Sequence, residues 1–100
     1  MKLKLSPFSE EDLDESIKYF NSQKDGLAYK FVNEVVNTFN RILENHTQFP
    51  KLFKDLRKAK TSTFSFNIFF VCDDEYVYVL GIFHTSRNPK IMNSRFKIHE

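Results

Sequence analysis

The period of apolar and polar residues shifts repeatedly along the chain, and each shift marks an element. Residues 2–6 alternate lysine with leucine, the period-two pattern of a half-buried strand, and Pro7 ends the run by removing a backbone donor. An edge strand is predicted there. Ser9-Glu10-Glu11-Asp12 then has the form of an N-cap with an acid three residues on, its carboxylates placed at the positive end of a helix dipole. The helix that follows buries Leu13, Ile17 and Phe20, and residues 21–26 break it, with Gly26 as the turn residue. In a second helix Phe31, Val32, Val35, Val36, Phe39, Ile42 and Leu43 share one broad apolar face, while Lys30, Glu34 and Arg41 lie elsewhere. It is predicted to end near His46, ahead of Phe49-Pro50, and the short connection makes the two helices an antiparallel hairpin.

After Pro50 the pattern returns to period two. Residues 51–60 form a basic stretch with weak alternation, read as one strand. Residues 61–72 alternate more firmly, with Phe64, Phe66, Ile68 and Phe70 on one face and Ser65 and Asn67 on the other. Asp73-Asp74-Glu75 is a turn, and residues 76–83 form a β-branched and aromatic strand, apolar on both faces and so expected in the middle of the sheet. His84 continues the alternation of Tyr76, Tyr78, Leu80 and Ile82, which suggests a histidine at the edge of the core. The tail from Thr85 onward is basic, and either a short helix or a surface segment fits it. The expected fold is α+β: an N-terminal strand, an antiparallel two-helix hairpin, then a three-stranded antiparallel sheet with the helices on one face.

Composition narrows this further. One hundred residues suit one domain, 1–100, with one core, and twelve phenylalanines make that core aromatic. The single cysteine, Cys72, forms no internal disulfide and reads as an inert buried thiol. Neither a Gly-rich phosphate loop nor a metal constellation occurs, so no cofactor or metal is expected. A signal-like apolar run and a membrane-length stretch are both missing from the pattern, and a cytoplasmic protein without membrane contact is expected. The net charge is only +2, but it is uneven. Up to Asn45 there are six basic and eight acidic residues; from His46 there are nine and five. An anionic partner would dock on the C-terminal half.

Polar residues gather around the strands of that half. Arg57 precedes the aromatic strand, and His84-Thr85-Ser86-Arg87-Asn88-Pro89 follows the last one. With its leading strand, its acid-capped helix, a longer helix ending near Phe49-Pro50, an arginine, an aromatic strand and a terminal His-x-x-Arg-x-Pro, the chain resembles the RelE/ParE superfamily of bacterial toxins over nearly its whole length. Ser65 stands where that family commonly has proline, and Ile91-Met92 where a tryptophan is often found. The resemblance implies the toxin of a type II toxin-antitoxin pair, held inactive in a hetero-oligomer by a cognate antitoxin. It leaves two activities open: binding of DNA gyrase, as in ParE-like members, or ribosome-dependent messenger RNA cleavage, as in RelE-like ones.

RNA cleavage without a metal needs a base for the 2′-hydroxyl, cations for the phosphate and an acid for the leaving oxygen. Lys54, Arg57, Lys58, Lys60 and Arg87 offer cations, and His84 offers the acid-base group. RelE-like nucleases, however, commonly carry a tyrosine near the C-terminus, whereas here none follows Tyr78 and His99 is the one terminal candidate. The His-x-x-Arg-x-Pro ending looks more ParE-like. The favoured expectation is therefore a gyrase-binding toxin that contacts its target through Arg57, Lys58, Lys60, His84 and Arg87. In the alternative, a ribosome-dependent endoribonuclease, Arg57, His84 and Arg87 carry the chemistry. Against these stand plainer roles: Arg57 as a strand arginine paired with an acid, Arg87 as a holder of the tail, and the acids Glu10, Glu11, Asp12, Asp14 and Glu15 as helix capping and solubility.

Overall fold

The computed structural model describes residues 1–97; His99 lies outside them. Its elements run β1 (Lys2–Leu5), α1 (Pro7–Gln23), α2 (Leu27–Glu44), a 3-10 turn (His46–Gln48), β2 (Lys51–Phe53), β3 (Leu56–Lys60), β4 (Phe66–Cys72), β5 (Tyr76–His84) and α3 (Pro89–Phe96). The strands form one sheet in the order β1-β5-β4-β3-β2. The three-stranded antiparallel sheet of the sequence reading is thus a five-stranded one. β1 joins it in parallel, with Lys2 opposite Tyr76, and every other pairing is antiparallel. β1 is an edge strand and β5 is internal, as the alternation indicated.

Two apolar clusters use the two faces of the sheet. Phe31, Val35 and Ile42 of α2 pack with Ile68, Phe70, Val77 and Val79, and Leu13, Ile17 and Phe20 of α1 close over them. On the opposite face Leu56, Phe69 and Phe83 meet Met92 and Phe96 of α3. The C-terminal helix is therefore a real element, covering the sheet face that the helix hairpin leaves open. Val36, expected with the core face of α2, is 45% exposed instead.

Element starts shift for identifiable reasons. Ser6, not Ser9, caps α1: its hydroxyl accepts the Ser9 amide at 3.1 Å, and Pro7 occupies the first turn, where a missing N–H costs nothing. The basic stretch 51–60 is a hairpin, not one strand, because Lys54 adopts a left-handed backbone (φ 51°) between β2 and β3. β4 starts only at Phe66. Ahead of it, Thr61 hydrogen-bonds Phe66 through both its amide and its hydroxyl, and Ser65 is left-handed (φ 56°), so residues 61–65 form a turn. This turn is held from α2. Both oxygens of Glu34 accept from it, taking the Ser62 hydroxyl and the amides of Thr63 and Phe64.

β5 contains a bulge that reverses its faces. Phe70 pairs with Val79 but Phe69 pairs with Gly81, so one extra residue is inserted. Before it, Val77 and Val79 face the helix hairpin and Leu80 faces α3; after it, Ile82 faces the hairpin and Phe83 faces α3. His84 therefore does not continue the row of Tyr76, Tyr78 and Leu80. It follows Ile82 onto the other face, where it is exposed.

Candidate functional site

The bulge also decides how the end of the sheet is built. β1 covers β5 only from Tyr76 to Val79, and beyond that point the start of α1 takes over the strand edge. The Ser6 amide and the Ser9 hydroxyl both donate to the Val79 carbonyl, at 2.9 and 3.0 Å. Asp12 accepts the Ile82 amide at 3.0 Å. The same carboxylate receives both outer nitrogens of Arg95, at 2.6 and 3.1 Å, as α3 reaches around the strand edge. Asp12 is thus no solubilising acid. It is buried, and it ties α1, β5 and α3 together. Sequence reasoning missed it because its neighbours Glu10, Glu11, Asp14 and Glu15 are all exposed, and nothing local distinguishes one acid of such a group.

Above this junction, His84 and Arg87 stand at the open end of β5. A cleft of about 660 Å³ opens between α1 and the 61–65 turn, with Phe20, Phe64 and Phe66 among its walls and Glu15, His84 and Arg87 at its rim. The His84 ring meets Phe66 edge-on at 5.3 Å. Its Nδ1 accepts the Ser86 amide at 3.0 Å and lies 2.6 Å from the Ser86 hydroxyl. A neutral imidazole bonded in this way carries its proton on Nε2, so the free ring nitrogen is a donor. Arg87 is exposed, with its guanidinium 5.4 Å from the centre of the Phe83 ring.

The basic residues singled out from the sequence divide between the two faces. Strand alternation in β3 sets Lys58 opposite Phe69, on the α3 side of the sheet, and Lys60 opposite Asn67. Lys58, Asn67, Phe83 and Arg87 border a hollow of about 150 Å³ on that side. Arg57 pairs with Phe70 and so belongs to the helix side, where its guanidinium donates to the Phe49 carbonyl at 2.6 Å. Among the described residues it has no acid partner and shares no surface with Lys58; it holds the segment entering β2. The structure thus brings Lys58 and Arg87 together with His84, which reaches the same hollow from the opposite face at the end of β5, sets Lys60 on the Lys58 face, and leaves Arg57 apart.

Glu34 and Cys72 are among the titrating groups displaced from their ordinary behaviour. Burial draws the Glu34 carboxyl upward, but the hydrogen bonds from Ser62, Phe64 and Thr63 outweigh it and hold its pKa below the usual glutamate value. Burial pushes the half-buried Cys72 thiol up, against the nearby charge of Arg57. Among the described residues no group of three or more His, Cys, Asp and Glu side chains is arranged to hold a metal ion. Nor is any described helix long and apolar enough to cross a membrane.

No family model and no curated protein matches the chain. Among solved structures it is similar to a chain of the chromosomal ParDE TA system from P. aeruginosa, with a TM-score of 0.70 and 20% identity over 84% of this chain and 95% of that one. The likeness is one of fold, at an identity too low to carry residue roles across. The chain has the RelE/ParE-like α+β fold that its sequence resemblance implies.

Proposed function

We propose that the chain is the toxin of a type II toxin-antitoxin pair, ParE-like, which arrests growth in the cytoplasm by binding DNA gyrase and is neutralised by a cognate antitoxin. The observation that carries this reading is the fold shared with a chain of the ParDE system. Its target surface is the end of the sheet where Lys58, His84 and Arg87 converge, extended by Lys60. One feature of the arrangement supports binding over RNA cleavage. Arg57, one of the two arginines a nuclease would bring to the phosphate, is engaged with Phe49 on the other side of the sheet.

Inducible expression without antitoxin, with pulse labelling of DNA and protein, tests the reading. Early loss of DNA synthesis is expected, together with inhibition of supercoiling by purified gyrase. Early loss of protein synthesis with cut messages would establish the endoribonuclease instead. Unchanged growth with folded protein would leave only a role in antitoxin binding.

A further inference from the structure

The outer face of α2 differs from the rest of the surface. Tyr29, Asn33, Val36 and Asn40 recur at intervals of four, three and four, with Asn37 beside them, on the side turned away from the buried Phe31, Val35, Thr38 and Ile42. All five outer residues are exposed, Tyr29 to 72% and Val36 to 45%. In a chain that is 28% charged, this seam carries no charge between its ends, where Lys30 and Glu44 stand. None of these seven side chains hydrogen-bonds or ion-pairs with another described residue. They form a continuous, unengaged strip along a helix roughly 27 Å long.

We propose that this strip binds a second copy of the same chain, with the two α2 helices antiparallel about a two-fold axis beside Val36 and Asn37. That arrangement sets Asn33 against Asn40 of the second copy, where each amide both donates and accepts. It brings the two Val36 side chains together at the axis. It also carries Glu44 to the Tyr29-Lys30 end of the other helix, where an ammonium and a phenol meet its carboxylate. Charge fixes the direction: parallel helices would face Lys30 with Lys30 and Glu44 with Glu44. The neutral centre fits the same partner, since in an isologous contact any charge near the axis meets itself. A strongly acidic or basic partner finds no counter-charge along the middle of the seam. The proposal does not depend on the toxin reading.

One helix pair is smaller than the ~800 Å² per partner of a standard interface, so dissociation in the micromolar range is expected. Sedimentation equilibrium up to ~1 mM should show a species of twice the 11.9 kDa chain mass that dissociates on dilution. Val36→Glu sets two carboxylates at the axis and should give a monomer at every concentration with an unchanged circular dichroism spectrum. Under mild oxidation, the double variant Asn33→Cys/Asn40→Cys should form a disulfide-linked dimer and Asn33→Cys alone should not. Both variants are made in a Cys72→Ser background, which removes the native thiol from this reaction. A wild-type chain that stays monomeric to ~1 mM overturns the proposal, and so does a dimer that survives Val36→Glu.

Discussion

At the scale of single residues, the fold turns on two carboxylates that composition alone would class with the surface. Asp12 satisfies a strand amide and a guanidinium at once, and Glu34 takes three donors from the 61–65 turn. Removing one partner from such a set leaves the others unsatisfied, which costs more than the bond itself contributes. Glu34 ties this to pH. Its folded-state pKa lies below its unfolded one, so its contribution is complete above the unfolded glutamate pKa and is lost as pH falls through the folded value. Denaturant unfolding followed from neutral to acidic pH should therefore show stability declining across that window. Glu34→Gln should lose about 1 kcal/mol at neutral pH and flatten this part of the profile; an unchanged pH slope would mean that the turn is held by something else.

At the scale of elements, the bulge in β5 places α3. Where the strand shifts, Gly81 leaves room that the Phe96 ring and the Arg95 guanidinium fill: a Cβ there would stand 2.9 Å from Phe96 and 3.4 Å from Arg95. Gly81→Val is expected to lift α3 from the sheet at a cost of about 2 kcal/mol. Hydrogen exchange reads this directly, as faster exchange of the α3 amides while those of β4 stay protected. Equal protection of α3 in both proteins would show that the close approach at Gly81 does not hold the helix. This region also marks the boundary of what the sequence discloses. Helix α2 and strand β4 are legible because their apolar residues keep one period over several turns or pairs. The bulge is not, since one inserted residue changes face without changing composition, and the alternation read from the sequence therefore puts His84 in the wrong row. The split of residues 51–60 into a hairpin is hidden likewise, because its turn has no Gly or Pro and relies on a left-handed lysine.

For the whole molecule, the sheet acts as a partition. The helix hairpin and Arg57 lie on one side, and α3, Lys58 and the hollow beside Arg87 lie on the other. Two arginines that looked equivalent in the sequence should therefore separate in growth assays. Arg87→Ala, at an exposed position, should change stability by less than ~0.5 kcal/mol yet relieve growth arrest. Arg57→Ala should lose roughly 1.5–3 kcal/mol of stability but still arrest growth at temperatures where it remains folded. Equal relief by both, with folded protein confirmed, would assign Arg57 to the target surface. The parallel pairing of β1 with β5 reaches beyond the finished structure. Lys2 meets Tyr76, so β1 has as its template a strand that is synthesised much later. Until Tyr76–Val79 has emerged, Lys2–Leu5 has no neighbour, and the edge that Ser6, Ser9 and Asp12 complete does not exist. Contacts this distant in sequence close late in folding. Every nascent chain therefore remains without its full sheet until Tyr76–Val79 has emerged, and the surface that carries Lys58, His84 and Arg87 is assembled only after that point.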